Sequence, residues 1–318
     1  MITTRGAGGS AVGGADDGGA GPRQLPQDLR GGPVIIDTDI GGDPDDAVAL
    51  VVAARRVPEL TLVTTGDEVH GERARFARFF LDLLGRNDVA TVAGDSPADS
   101  PFFCVEGFAP DPVPAQRGDV VAAVRQVCAA TAGPVRWVGL APMTNLARVL
   151  AEAPELAPRL RVTQMGGALR YHDPDSAEHN IHQDVASARA VLRAVADGVL
   201  ATPEFVSADV TFTPRIAITA HSPLYAPLRA PGAPAWARVL ADHLDRWFAR
   251  FYPDTMQHDP LALSAALGLP FVTCGHLPIE LDDIGRTTRA SEGRGTPVRW
   301  SVSADYDPFL AWLATALS

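Results

Sequence analysis

The chain has 318 residues, a hydrophobic content of 46% and a formal net charge of −11. This length supports one large α/β domain or two small ones, and the negative charge argues against nonspecific binding to nucleic acid. All 27 lysine-or-arginine positions are arginine, which excludes a Walker P-loop, a Schiff-base enzyme and a lysine-dependent phosphotransferase. No apolar stretch approaches the roughly 18–20 residues that span a bilayer, so we expect no membrane partner.

The first 32 residues are rich in Gly, Ala, Asp and Pro and lack a hydrophobic segment. This composition predicts a disordered tail over 1–32 and not a signal peptide. The three cysteines, Cys104, Cys128 and Cys274, form no CxxC pair. That usage suits a reducing cytoplasm and gives no zinc signature. We therefore expect a cytoplasmic protein whose domain covers 33–318.

From residue 33 onward, apolar β-rich runs alternate with helical patterns. Strands are expected at 34–37, 60–64, 89–92, 136–140, 161–165 and 204–206. Helices are expected at 45–56, 71–84, 119–130, 146–152, 185–196 and 236–252, and short strands at 271–303 precede a last helix at 308–317. This alternation predicts an α/β fold in which helices flank a central, mostly parallel sheet. No second core is visible, so a single domain is expected.

Five aspartates lie within ten residues directly after the first strand: Asp37, Asp39, Asp43, Asp45 and Asp46. Carboxylates packed this closely repel one another and shift each other's pKa values unless a cation or water neutralises them. An apolar helical pattern follows the turn, so the turn joins two core elements at the carboxyl end of a strand, where open α/β sheets bind ligands. A solvated charge run is the common meaning of clustered aspartates, but this setting favours a site for a hard cation.

The acidic turn resembles the signature of the inosine–uridine preferring nucleoside hydrolase family, in which a strand precedes an Asp-x-Asp-x-x-x-Asp-Asp turn. Four further blocks follow in family order, at 139–147, 165–168, 177–180 and 258–262. The resemblance implies a Ca²⁺-dependent enzyme that hydrolyses the N-glycosidic bond of a ribonucleoside and releases base and ribose through an oxocarbenium-like transition state. It also implies a homodimer or homotetramer. Carboxylates suit both tasks, because Ca²⁺ prefers oxygen ligands and the sugar develops positive charge.

The resemblance implies a metal site assembled from distant parts of the chain. Asp39 matches a metal ligand that is also the base for a metal-bound water, and Asp46 and Asp259 match the other carboxylate ligands. Thr144 matches the residue whose backbone carbonyl binds the metal. His258 matches a histidine near the nucleobase that would protonate the leaving group, since imidazole titrates near neutrality. An isolated His-Asp pair is more commonly a helix N-cap; the acidic turn is what favours the catalytic interpretation.

Polar residues in the same blocks are expected to bind the ribose. Asp45 matches the neighbour that binds the ribose hydroxyls, but the turn is longer here than in the shorter family form, so Asp43 is the alternative; we favour Asp45. Glu178 and Asn180 match residues that hold the sugar hydroxyls, including the 5′ position. A carboxylate and an amide suit that role because together they accept from and donate to hydroxyls. A solvated loop is the alternative for this pair.

Several positions depart from the family pattern. Asp67 stands where an asparagine often touches the ribose, His172 lies where an asparagine is common, and His179 replaces the usual phenylalanine. These changes indicate an altered substrate or a divergent branch. For the base, Trp247 and Tyr252 are the stacking candidates because each carries a polar group, although aromatic residues at helical spacing more often pack in a core.

Two alternatives remain at this point. The strand followed by Asp37 and Asp39 also resembles the start of haloacid-dehalogenase-type phosphotransferases, with Asp37 as nucleophile and Mg²⁺ as cofactor. Such enzymes normally need a lysine, and an arginine would have to replace it here. The other alternative is a non-catalytic, Ca²⁺-dependent riboside-binding protein, against which the complete set of expected catalytic residues argues.

Overall fold

The computed structural model describes residues 31–96, 102–116, 118–291 and 293–318. Residues 1–30 lie outside this part, so the disordered tail and the domain boundary at residue 33 stay predictions. Within the described part, no helix is both long and apolar enough to cross a membrane.

Strands and helices alternate over most of the chain. The strands are β1 (Val34–Thr38), β2 (Leu60–Thr65), β3 (Ala90–Ala93), β4 (Val135–Gly139), β5 (Leu160–Met165), β6 (Glu204–Val206), β7 (Ala217–Thr219), β8 (Asp254–Met256), β9 (Val272–Leu281), β10 (Thr287–Arg289) and β11 (Thr296–Ala304). The helices are α1 (Asp45–Arg56), α2 (Glu72–Leu83), α3 (Val120–Ala129), α4 (Thr144–Glu152), α5 (His179–Gln183), α6 (Val185–Ala196), α7 (Ala208–Thr211), α8 (Ala235–Arg250), α9 (His258–Ala266) and α10 (Tyr306–Leu317). Every strand and helix expected individually from the sequence is present, with its ends shifted by only a residue or two.

In the described part of the chain, the central sheet has nine strands in the order β10-β9-β11-β6-β5-β4-β1-β2-β3. All neighbouring pairs from β11 to β3 are parallel. At the other end, β9 pairs antiparallel with both β11 and β10, and β7 and β8 form a small separate antiparallel sheet. The predicted α/β class, with a single domain and a mostly parallel central sheet, is confirmed.

Helices cover both faces of the sheet. In β1, Val34 and Ile36 belong to one buried hydrophobic cluster and Ile35 to the other, because successive side chains of a strand point to opposite faces. Side chains of α1, α2, α8, α9 and α10 complete the first cluster, and those of α3, α4 and α6 complete the second. A strand covered on both faces has a continuous apolar sequence, which accounts for the Val-Ile-Ile run.

The carboxyl ends of the central strands form one edge of the sheet. β1 ends at Thr38, between the first two aspartates of the acidic turn; the neighbouring strand β4 ends at Gly139, and β5, on the other side of β4, ends at Met165. Ligands of open α/β sheets bind at this edge. The acidic turn and the ends of β4 and β5 therefore lie where a binding site is expected.

The chain after α8 differs from the predicted helix 236–252. α8 ends at Arg250, and Phe251 has φ −124° and ψ −77°, which is outside the helical region. The chain then forms β8 and α9, which no periodic pattern in the sequence predicted. As a result Tyr252 is 53% exposed, whereas Trp247, still inside the helix, is 3% exposed.

Candidate active site

A cavity of about 380 Å³ opens at the carboxyl edge of the sheet. Eleven of the thirteen predicted site residues line it: Asp39, Asp43, Asp45, Asp46, His172, Glu178, Asn180, Trp247, Tyr252, His258 and Asp259. The other two, Asp67 and Thr144, are not among its lining residues. The fold thus gathers most of the predicted residues, from both ends of the domain, around one cavity.

Three buried aspartates form a carboxylate cluster in this cavity. Asp45, Asp46 and Asp259 each place a carboxylate oxygen within 4.8 Å of the oxygens of the other two. Asp45 and Asp46 begin α1 and Asp259 lies in the first turn of α9, so helix dipoles favour their negative charge. The Asp45 carboxylate joins the two helices by accepting hydrogen bonds from the N–H groups of Asp46 and Asp259, both at 3.1 Å. The Thr38 hydroxyl donates to Asp46.

The electrostatics of the cluster favour a bound cation. Burial is the largest cause that raises the pKa values of Asp45, Asp46 and Asp259, and neighbouring carboxylates raise them further. Half-buried Asp39 makes the largest of the charge contributions at Asp46, so it lies within electrostatic reach of the cluster. Because carboxylate oxygens are the ligands that Ca²⁺ and Mg²⁺ prefer, the residues present fit a hard divalent cation.

Asp43 and Asp45 have different surroundings, which bears on the choice of ribose ligand. Asp45, the favoured candidate, shares the carboxylate cluster with two predicted metal ligands. Asp43 is half-buried and accepts a hydrogen bond from the Thr255 hydroxyl in β8. Burial raises the pKa of Asp43 to about 7. Both carboxylates line the cavity, so both remain candidates.

Asp37 is buried away from the cavity. It is 1% exposed, and its carboxylate accepts hydrogen bonds from Asn145 Nδ2 at 2.7 Å and Thr64 Oγ1 at 2.9 Å. Burial raises its pKa to about 7. Because a nucleophile has to reach its substrate, the position of Asp37 contradicts the phosphotransferase alternative.

Thr144 is the second predicted site residue that is not among those lining the cavity. It begins α4, and its hydroxyl donates to Asp184 Oδ2 at 2.7 Å. Leu140, the first residue after β4, lines the cavity instead. Its carbonyl accepts a hydrogen bond from Asn180 Nδ2 at 2.9 Å. Leu140 thus lies at the strand end beside the cavity, whereas Thr144 is the first residue of the following helix.

Asp67, the other predicted residue that does not line the cavity, is buried beside an arginine. It is 1% exposed and forms an ion pair with Arg73 of α2, with 3.0 Å between Arg73 Nη2 and Asp67 Oδ2. Its φ of 46° lies in the left-handed region, where a non-glycine residue is uncommon. At least one oxygen of the carboxylate thus contacts a buried guanidinium. Arg73 itself was missed, because nothing in the helical pattern of 71–84 marks it.

Glu178 and Asn180 line the cavity in fixed orientations. Glu178 caps α5 by accepting from the N–H groups of Asn180 at 3.0 Å and Ile181 at 3.2 Å, and it also accepts from Gly167 N at 2.7 Å. Burial raises the pKa of Glu178, and these backbone hydrogen bonds oppose the rise. The pair therefore lies at the cavity with its side chains held by the backbone, and the solvated-loop alternative is wrong.

One aromatic group at the cavity includes two predicted histidines. Phe212 stacks on His172, with ring centroids 4.4 Å and planes 5° apart, and lies 6.1 Å from His258. His258 Nδ1 is 2.6 Å from Thr211 Oγ1. Burial lowers the pKa of His258 to about 4, and the charge of His179 lowers it further, so the imidazole is neutral at neutral pH. Phe212 was missed because it follows the short helix α7, where no periodicity marks it.

A second aromatic group contains the two residues expected to stack on the base. The Phe102 ring lies 5.8 Å from that of Trp247 and 6.4 Å from that of Tyr252. Trp247 Nε1 donates to the Asp254 carbonyl at 2.9 Å, so its polar group is used within the protein. Tyr252 is the more exposed of the two. No periodic pattern in the sequence marks Phe102, which lies outside the helices and strands.

The fold and the cavity define an α/β protein with a carboxylate cluster and aromatic rings around a small-molecule site at the carboxyl edge of its sheet. The chain belongs to the inosine-uridine preferring nucleoside hydrolase family, whose sequence profile matches residues 34–311. It is therefore a ribonucleoside hydrolase, an enzyme that cleaves the N-glycosidic bond of ribonucleosides. The predicted family and enzyme class are confirmed, which rules out the phosphotransferase and the non-catalytic binding protein.

Individual relatives support this assignment. The pyrimidine-specific ribonucleoside hydrolase RihA of Salmonella typhimurium is 29% identical over 262 residues, which is 73% of this chain and 78% of the relative. The solved structure of a purine-preferring ribonucleoside hydrolase from Gardnerella vaginalis is 23% identical, has a TM-score of 0.71, and covers 90% of this chain and 98% of its own. An inosine-uridine preferring nucleoside hydrolase from Bacillus anthracis gives a TM-score of 0.70 at 20% identity, over 90% of this chain and 99% of its own. The structural likenesses show the fold.

Proposed function

We propose that this enzyme hydrolyses a ribonucleoside with the help of one Ca²⁺ ion held by Asp39, Asp46 and Asp259. The observation that carries the proposal is the buried carboxylate cluster, in which oxygens from α1 and α9 lie within 4.8 Å of one another beside the cavity. Burying mutually repelling carboxylates is unfavourable unless a cation compensates them. Bound Ca²⁺ would supply that charge and lower the pKa of a nearby water.

We propose the Leu140 carbonyl, in place of that of Thr144, as the backbone ligand. Leu140 follows β4 directly and lines the cavity. Its carbonyl already accepts one hydrogen bond, from Asn180, and a carbonyl oxygen has a second lone pair to offer. Oxygens from two helix N-termini and one strand end would then surround the cation, in keeping with the six to eight oxygen ligands that Ca²⁺ takes.

The proposed reaction adds water across the N-glycosidic bond. Asp39 is half-buried and lines the cavity, so it can take a proton from the attacking water while the water oxygen bonds to C1′. The C1′–N bond breaks, and the electron pair leaves with the base. Carboxylates around the sugar stabilise the positive charge that develops on it. The leaving base takes up one proton, which balances the proton that Asp39 removes from water. His258 is the candidate donor and would act in its imidazolium form, which burial disfavours in the free enzyme.

The remaining lining residues divide between sugar and base. Asp45 keeps first place as the ligand of the ribose hydroxyls, because it is part of the carboxylate cluster, and Asp43 is the second candidate. Glu178 and Asn180 are proposed for the other sugar hydroxyls. Residues proposed to contact the base come from the two aromatic groups: His172, Phe212, Trp247, Tyr252 and Phe102. The base is left open, since RihA is pyrimidine-specific and the Gardnerella vaginalis enzyme is purine-preferring.

We further propose a cytoplasmic enzyme that forms a homodimer or homotetramer. The cytoplasmic assignment rests on the cysteine usage, because the chain has only three cysteines and no CxxC pair. The oligomeric state follows from the family resemblance. Sedimentation velocity of the purified chain tests it, and a species with the mass of one chain at micromolar concentration would contradict it.

The experiment is a panel of purine, pyrimidine and 5′-modified ribosides, assayed for free base and ribose. EDTA should abolish hydrolysis and Ca²⁺ should restore it. Asp39→Asn should lower kcat by at least about 100-fold, the usual contribution of general acid–base catalysis, while the exposed control Asp111→Asn keeps the wild-type rate. Full activity in EDTA, or a near-normal rate in Asp39→Asn, would contradict the proposal.

A further inference from the structure

Groups outside the acidic turn donate hydrogen bonds to its backbone carbonyls. The carbonyls of Asp39 and Ile40 accept hydrogen bonds from Arg73 Nη1, the second at 3.2 Å. The next two carbonyls, at positions 41 and 42, accept from Cys104 N at 2.8 Å and His243 Nε2 at 3.0 Å. Four consecutive carbonyls are therefore bound by donors from outside the turn. We call these donors, Arg73, Cys104 and His243, the carbonyl clamp.

Arg73 is the centre of the clamp. It is 0% exposed, although a buried arginine is rare unless it is paired. Besides the turn carbonyls, it donates to the Asp67 carbonyl at 2.7 Å, to the Asp67 carboxylate at 3.0 Å and to the Phe102 carbonyl at 3.0 Å. Its guanidinium also lies over the Phe103 ring, 5.5 Å from the centroid. One side chain thus connects the acidic turn, the start of α2 and the segment at 102–103.

The acidic turn also packs closely against the segment that begins at Phe102, so its backbone has little conformational freedom. Gly41 has φ 105°, and a Cβ placed there would lie 2.6 Å from Val105 Cγ2. A Cβ on Gly42 would lie 2.8 Å from the Phe102 carbonyl oxygen. Only glycine fits at these two positions. The path of the backbone between Asp39 and the start of α1 is therefore fixed by its neighbours.

The clamp has an electrostatic consequence for the carboxylates. The negative ends of the Asp39 and Ile40 carbonyl dipoles point to the Arg73 guanidinium. The carboxylate of Asp39 remains at the cavity. Contacts within the protein thus hold the backbone that carries this carboxylate. Cation binding therefore costs less conformational entropy than it would with a mobile turn.

We infer that Arg73 is a positioning residue for the cation site, which acts by holding the backbone of Asp39 and Ile40 through the carbonyl clamp. The inference rests on the proposed cation site. It also gives Asp67 a function in this chain: its carboxylate anchors Arg73, in place of the expected contact with ribose.

The test measures Ca²⁺ binding directly, by calorimetric titration of EDTA-treated protein. Arg73→Gln should weaken Ca²⁺ binding by roughly 10-fold or more, the scale of losing groups that orient metal ligands. Arg73→Lys, which keeps the charge but not the planar fork, should recover part of the loss. The matched control is Arg78→Gln, because Arg78 lies on the same helix and also donates to carbonyls, those of Val89 and Arg86, away from the cavity. That control should lose thermal stability but keep wild-type Ca²⁺ affinity.

The milder variant Asp67→Asn applies if Arg73→Gln does not fold. It removes the ion pair and leaves the turn carbonyls bound, so Ca²⁺ affinity should fall less than in Arg73→Gln. A higher KM with unchanged Ca²⁺ affinity would instead assign Asp67 to the ribose and overturn the inference. Equal affinities of wild type and Arg73→Gln, or equal losses in Arg73→Gln and Arg78→Gln, would also overturn it. If the wild type binds no Ca²⁺, the proposed cation site fails first and the inference fails with it.

Discussion

Replacing Asp259 by asparagine should stabilise the metal-free protein and destabilise the Ca²⁺-loaded protein. Without the cation, the change removes one of three carboxylates whose oxygens lie within 4.8 Å of one another. Two unit charges at that distance repel by about 3.5 kcal/mol at an effective dielectric constant of about 20. Burial and the neighbouring carboxylates raise the pKa of Asp259, and uptake of a proton there would relieve part of this repulsion. We expect Asp259→Asn to raise the free energy of unfolding in EDTA by about 1–2 kcal/mol.

Ca²⁺ should reverse this order. At a Ca²⁺ concentration one hundred times the Kd, Ca²⁺ binding raises the free energy of unfolding of the wild type by about 2.7 kcal/mol. The variant has lost a charged ligand, so its gain at the same concentration should be below about 0.5 kcal/mol, which corresponds to a Kd raised at least about 75-fold. Together with the roughly 1–2 kcal/mol gained in EDTA, the variant then stays below the wild type.

The assay is urea unfolding followed by circular dichroism, in EDTA and in Ca²⁺. The exposed control Asp111→Asn should shift the free energy of unfolding by less than about 0.5 kcal/mol in both. If Asp259→Asn were equally destabilising with and without Ca²⁺, Asp259 would be a structural group and the reasoning from charge repulsion would be refuted.

Three further predictions concern the sugar, the base and a buried histidine. Asp45→Asn should raise both the KM for the riboside and the Kd for Ca²⁺, whereas Asp43→Asn should change neither by more than about threefold; a larger rise in KM for Asp43→Asn would identify Asp43 as the ribose ligand. Phe212→Ala should lower kcat/KM by roughly 5- to 100-fold, the value of one base-stacking contact, and a change below about twofold would exclude stacking. Burial lowers the pKa of His243 to about 4 from 6.5, so its contribution to stability is present above pH 6.5 and is lost as the pH falls toward 4. Over that range the free energy of unfolding of the wild type should therefore fall by about 3 kcal/mol more than that of His243→Gln. Equal decreases in urea unfolding would contradict the lowered pKa of His243.

The sequence predicts the elements that have a strong local pattern. The run Val34-Ile35-Ile36 is apolar throughout because helices cover both faces of the sheet, and that continuous pattern marks a buried parallel strand. The acidic turn at its carboxyl end predicts a cation site because ligands bind at that edge. The structure brings Asp259 to Asp46, which the family resemblance implied as its fellow ligand, and the third carboxylate of the cluster is that of Asp45.

The parts that the sequence could not predict depend on contacts between distant residues. α9 begins at His258 without a periodic pattern in the preceding residues, and Phe212 becomes a cavity residue only through the packing of α7. Arg73 resembles any arginine of a surface helix until the fold buries it against the acidic turn. Thr144 was placed at the metal by matching a motif, and only the geometry of the β4 end shows that Leu140 lies at the cavity.

Ca²⁺-dependent hydrolysis is tested most directly by a titration in which bound Ca²⁺ and riboside hydrolysis are measured on the same EDTA-treated sample. We expect one Ca²⁺ to bind per chain, and the rate of base release to rise in proportion to the occupancy of the Ca²⁺ site. In Asp39→Asn the cation should still bind, with reduced affinity, but the rate should stay low at full occupancy. Hydrolysis at the full rate before any Ca²⁺ is bound would contradict the proposed dependence of the reaction on Ca²⁺.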